Sequence, residues 1–242
     1  MDNKPKGDLK LTGNGETAGG SFEAVIINGN GKVNGNVDCK DFVCNGTAKI
    51  NGSIISQNTV IKGSTKVIGD IQSVWLEMRG NSSVEGTLAF EKLEVKGRTF
   101  LENDAKGEHI FLEGAMKIGG DCEVETARLN GAVTIGGQLN ADRIAINLHG
   151  KSSIKEIGGE MITVKRENHV ILHLDKWIKP LSRELNTELI EGDVLELEYT
   201  KANVVRGNTV IIGPGCEIGV VEYNKELRVS KEAAVSKSEK LQ

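Results

Sequence analysis

Proline and aromatic residues are scarce in this 242-residue chain, with 3 Pro and 4% aromatics, while glycine is plentiful at 30. Glycine without proline is neither the collagen signature nor the low-complexity one. It points to many turns joined by short aliphatic strands, and away from a helical bundle. No run approaches the roughly 18 apolar residues that a spanning helix needs, and the opening MDNKPKGDLKL lacks the apolar core of a signal peptide. The expected location is therefore the cytoplasm. Positive charge is not in excess: 30 Lys and Arg against 34 Asp and Glu leave a net charge of -4, which offers no electrostatic basis for binding nucleic acid. Nucleotide motifs are missing too. No GxxxxGK followed by Ser or Thr occurs, and GNGKVN at 29–34 ends in Asn where a dinucleotide fingerprint has Gly. Cys39, Cys44, Cys122 and Cys216 form no CxxC pair, and Cys44 and Cys122 stand where other repeats carry Ile, Leu or Val. They read as buried reduced thiols.

What the chain has instead is a repeat. Gly29, Gly46, Gly63, Gly80, Gly97, Gly114 and Gly131 follow one another at a constant step of seventeen. A second column runs Gly35, Gly52, Gly69, Gly86, Asn103, Gly120 and Gly137. Its one exception is the residue that best tolerates positive φ after Gly, so this column is expected to form left-handed corners. Four apolar columns start at Val25, Ile27, Val33 and Val37 and return as Phe42, Cys44, Ile50 and Ile54 in the next repeat. Their spacing within a repeat is the strand period of two. A lone coil of this size cannot bury its apolar face, but stacked coils pair their backbones about 4.8 Å above and below and close a continuous interior. The expected fold is all-β: a parallel β-helix, or β-solenoid, with seventeen-residue coils and one irregular insertion.

The first coil, with Leu9, Leu11 and Gly13, precedes Val25, Ile27 and Gly29 by sixteen, and near the C-terminus Val210 and Ile212 are followed at seventeen by Leu227 and Val229. This sets the expected organisation: a polar tail over 1–8, coils over 9–158, an insertion over 159–193, resumed coils over 194–235 and a polar tail over 236–242. In the insertion Trp177, Leu181, Leu185 and Leu189 are spaced by four, which predicts a short helix with one apolar face. That face packs on the flank of the solenoid or, alternatively, meets a partner or the membrane surface.

Stacked-coil folds also host acyltransferases and zinc enzymes, but those show hexapeptide periods and His at the corners. Here His109 and His149 stand in different columns, and His169 and His173, four apart, would supply only two ligands. No catalytic residue, cofactor or metal is expected. Lys32, Lys49, Lys66 and Lys117 share a column with Ser83 and Phe100, a solvated mixed surface rather than a ligand groove.

Two features together resemble the bactofilins, the bacterial polymer-forming cytoskeletal family. One is the glycine spacing in NGNGKVNG, NGTAKING and KGSTKVIG; the other is EGDVLELEYTKANVVRGNTVIIGPGCEIGVVEY at 191–223, similar to the C-terminal part of the longer Gram-positive members. The resemblance implies a right-handed β-helix that assembles end to end into nucleotide-independent filaments and scaffolds envelope, cell-shape or motility machinery. Its implied partners are further copies of itself, related bactofilins and envelope or motility proteins, with peripheral contact at the inner face of the membrane in some members. Physics supports polymerisation separately, because each open end of a solenoid exposes unpaired strand groups. Leu9 and Leu11 mark one such end and Leu227 and Val229 the other. The alternative function is a non-polymerising scaffold that binds a partner through the 159–193 insertion.

Overall fold

Apolar side chains spaced by two can share one interior only if every second residue turns inward, and glycine supplies the corners between such stretches. The computed structural model describes residues 7–166 and 183–241, and all of their regular structure is strand, each strand paired in parallel with its neighbours. The chain is an all-β parallel solenoid. It divides into two compact units, Met1–Cys122 and Glu123–Gln242.

The first unit contains β1 (Leu9–Asn51), β2 (Ile54–Val67), β3 (Ile71–Val84), β4 (Leu88–Leu101) and β5 (Ala105–Ile118), and the two-residue β6 (Cys122–Glu123) has one residue in each unit. The repeat sets the register directly: Val37 lies on Ile54, Ile54 on Ile71, Ile71 on Leu88 and Leu88 on Ala105, seventeen apart each time. Six residues per coil face inward rather than the four read from the sequence. In one coil they are Thr59, Ile61, Thr65, Val67, Ile71 and Ser73, all buried. The two extra columns, through Ala48, Thr65, Ser82 and Thr99 and through Cys39, Ser56, Ser73 and Phe90, carry small or polar residues among the apolar ones.

The buried hydroxyls find partners inside the coil stack. Ser56 Oγ donates to Ser73 Oγ at 2.9 Å, and Thr65 Oγ1 donates to Cys44 Sγ at 3.5 Å. Thr99 Oγ1 likewise reaches Met78 Sδ at 3.6 Å, again a sulfur twenty-one residues earlier. Ser82 shares that column but has Ile61 at the corresponding place, and its hydroxyl is buried without a partner. Ser82→Ala is therefore expected to stabilise the protein by about 1 kcal/mol, since an unpaired buried hydroxyl costs about 1–3 kcal/mol. Thermal unfolding followed by circular dichroism checks this, and a melting temperature below the parent's would refute it.

Corners are where the structure corrects the expectation. Left-handed φ occurs in the first glycine column, from 117° at Gly80 to 153° at Gly131. In the second column only Gly35 has positive φ; Asn103 and the other glycines do not. Close approach explains that column instead: a Cβ on Gly52 would lie 2.5 Å from Gly35 C, and one on Gly86 2.5 Å from Gly69 C. The next residue stitches the coils together. Ser53 N donates to Asn36 Oδ1 at 2.9 Å, Asp70 N to Ser53 Oγ at 3.0 Å and Thr87 N to Asp70 Oδ1 at 2.7 Å.

The second unit contains β7 (Thr126–Asn140), β8 (Arg143–Leu148), β9 (Ser152–Lys165), β10 (Leu185–Leu197), β11 (Thr200–Ile212), β12 (Glu217–Val229) and β13 (Ala234–Lys240). Its steps vary: Ile135 lies on Ile154 at nineteen, Leu185 on Thr200 at fifteen and Val210 on Leu227 at seventeen. β9 and β10 pair directly, with Ser152 on Leu185 and Val164 on Leu197. The insertion expected over 159–193 is thus narrower, since 159–165 and 185–193 are strand. The helix expected around Leu185 and Leu189 is also corrected. Leu185, Ile190, Leu195 and Leu197 fill inward coil positions while Leu189 is half-buried, so the spacing of four joins one inward residue to one that is not. The polar tail expected from 236 is strand as far as Lys240.

Candidate functional site

The two ends of the coil ladder break the burial pattern, and each lies in its own unit. In the first coil Leu9, Leu11 and Thr17 are half-buried, whereas Val25, Ile27 and Val33 in the next coil are 0% exposed. The stacking is fixed by Gly29, whose added Cβ would meet Gly13 O at 2.5 Å, and by Glu23 N donating to Gly7 O at 3.1 Å. Glu16 accepts from Lys32 Nζ at 2.8 Å and from Asn34 Nδ2 at 2.5 Å. The Lys32 hydrogen bond, more than the Asn34 one, holds the Glu16 carboxyl below the usual range.

At the other end β13 covers only Glu217–Tyr223 of β12. Leu227 and Val229 lie on Val210 and Ile212, which are 0% and 1% exposed, but no described strand lies beyond them. Leu227 is half-buried and Val229 is 44% exposed. Val235 is half-buried on Ile218, so three aliphatic side chains leave the interior partly open at this edge. Charges of both signs flank it: Arg228 Nε meets Glu226 Oε1 at 2.6 Å, and Lys237 pairs with Glu239. The Glu239 hydrogen bond raises the Lys237 pKa. At the first edge Lys10 Nζ meets Asp8 Oδ2 at 3.1 Å. Neither edge is strongly charged, so apolar contact is not opposed by a like-charge field.

Of the residues expected to form a contact surface, two fall within the described strands. Leu185 is buried inside a coil and Leu189 is half-buried on β10; Trp177 and Leu181 lie outside the described residues, as do His169 and His173. His109 sits on β5 opposite Lys92, and His149 follows β8. The four cysteines are buried and unbridged. Burial pushes the Cys122 thiol up to about 12, with Asp121 adding to it, and that of Cys216 up to about 11. Thiols held this far from ionisation are inert packing groups.

The chain is 44% identical over 104 residues to an uncharacterized protein, YhbE, of Bacillus subtilis (strain 168), covering 43% of each chain. It is 39% identical over 104 residues to YhbF of the same organism, covering 43% of this chain and 41% of that one. The alignments thus span less than half the length of either relative. No solved structure matches the chain at a significant level. Residues 3–89 match the family model for bactofilins, described as polymer-forming cytoskeletal. Through these residues, which hold the first coils of the glycine ladder, the chain is similar to the bactofilin family.

Proposed function

We propose that this chain is a non-catalytic structural protein that assembles end to end into filaments without nucleotide, scaffolding envelope, cell-shape or motility machinery. The observation that carries the reading is the unfilled interior at each end of the ladder, where Leu9 and Leu11, and Leu227 and Val229, occupy inward columns and stay half-buried or exposed. Contact with a further copy would bury these side chains and pair the strand edge beside them. The family description, polymer-forming cytoskeletal, agrees with it. The partner is first another copy, then related bactofilins or envelope and motility proteins, and the place of action is the cytoplasm, with contact at the inner face of the membrane as the alternative setting. Among the described residues no helix is long and apolar enough to cross a membrane.

Negative-stain microscopy of purified protein without nucleotide tests the reading directly. Filaments are expected for the parent, and Val229→Arg is expected to leave short oligomers of folded protein. An unpaired charge buried at a junction costs about 3 kcal/mol or more, roughly a hundredfold in the association constant. Filaments of parental length from folded Val229→Arg protein, at the same salt and concentration, would remove the C-terminal edge from assembly.

A further inference from the structure

An open groove of about 760 Å³ runs along the second unit, bordered from Glu123 to Leu241. Glycines make its floor. Gly159 stacks under Gly192 and Gly192 under Gly207, and a Cβ on Gly159 or Gly192 would lie 2.2 Å from the carbonyl oxygen of the coil below. The depression cannot be filled from within without parting the coils. It crosses six coil levels, from Val124 through Ala141, Gly159, Gly192 and Gly207 to Asn224. At strand spacing this is about 24 Å, the reach of about seven extended residues.

Two independent properties define what fits. Six carboxylates line the groove, on Glu123, Asp142, Glu156, Glu160, Glu191 and Asp193, against the single cation of Arg206. Arg206 is already engaged, with Nε 2.6 Å from Glu222 and Nη1 3.2 Å from Glu191. The result is a concave negative field that attracts cations and repels phosphate-rich surfaces. Separately, exposed apolar side chains directly follow two of these carboxylates along the chain. Met161 and Val194 are register partners on successive coils, 49% and 40% exposed, and each directly follows a groove carboxylate, Glu160 or Asp193. A bound metal ion would satisfy the carboxylates and leave this pair uncovered; an apolar patch alone would not need the charge.

We propose that this groove docks an extended segment of a partner protein in which Lys or Arg alternates with aliphatic residues. Its cations face Asp142, Glu156 and Glu160, and its aliphatic side chains cover Met161 and Val194. Alternation of side chains along an extended chain presents the two chemistries on opposite sides of the docked segment.

Fluorescence anisotropy with the full chain and a labelled Lys-Leu-Lys-Val-Lys-Leu-Lys peptide tests this, with a Glu-for-Lys peptide as the control. Binding is expected for the basic peptide alone, weakening as NaCl rises from about 0.05 M to about 0.3 M. Both the Glu156→Gln, Glu160→Gln pair and the Met161→Ser, Val194→Ser pair, shown folded by circular dichroism, are expected to bind about tenfold more weakly. Three outcomes overturn the proposal. One is no binding, or binding unchanged in both pairs. Another is loss confined to the carboxylate pair with full competition by magnesium at equal ionic strength, which marks a cation site. The third is loss of filaments in either pair without peptide binding, which marks a contact between copies.

Discussion

Gly80→Ala is expected to lower stability by about 3–5 kcal/mol, among the largest effects a single methyl group can have in this chain. Gly80 holds φ at 117°, and its added Cβ would lie 2.3 Å from Gly63 O in the coil below. Backbone strain accounts for about 1–3 kcal/mol, and the rest comes from forcing apart two coils whose hydrogen bonds depend on the close spacing. Two other alanines separate these causes. Gly13 has φ at 78° with nothing within 4 Å of an added Cβ, so Gly13→Ala carries strain alone. Gly86 lacks positive φ but would place Cβ 2.5 Å from Gly69 C, so Gly86→Ala carries the clash alone. Denaturant unfolding of the three variants should rank Gly80→Ala as the most harmful. Equal losses for Gly80→Ala and Gly13→Ala would show that coil contact plays no part.

That ranking also marks how far the repeat was legible. Columns holding one chemistry, such as Val33, Ile50 and Val67, announce their inward direction, because only burial explains an apolar residue at every turn. The column of Thr65, Ser82 and Thr99 does not, since Ser and Thr suit a solvated face equally well until Cys44 or Met78 is seen to accept their hydroxyls. Asn103 misled for a related reason. Asn tolerates positive φ, but here its Nδ2 donates to Glu85 O at 2.8 Å from a corner with ordinary φ. The candidate ends were legible because the ladder itself says where it stops. The degree of exposure at each was not, since Val229 repeats the inward column of Ile212 and only the structure shows no described coil beyond it. The groove was hidden more deeply. Its carboxylates come from coils with steps of nineteen and fifteen and from both sides of the insertion, so no fixed period lines up Glu123, Glu156 and Glu191.

The interior itself gives the sharpest contrast. Ile61 is 0% exposed and lies in register between Cys44 and Met78, with coils on both sides. Ile61→Arg would put a guanidinium into an interior whose buried polar residues, among those described, are all Ser or Thr, and the effective penalty is several kcal/mol per unpaired ion. That is comparable to the whole stability of a typical domain, about 5–15 kcal/mol. Because each coil contacts only its neighbours, the damage should spread from β2 into β1 and β3 rather than stay local. The expected result is loss of the β-type circular dichroism of the first unit and of amide protection across residues 37–84. Ile55 supplies the control: it belongs to the same strand, points outward and is 50% exposed, so Ile55→Arg should change stability by no more than about 0.5 kcal/mol. Val229→Arg, at an open edge, should likewise leave the protomer folded. If Ile61→Arg melts with the parent, or Ile55→Arg unfolds, the alternation of inward and outward residues assigned to this coil is wrong.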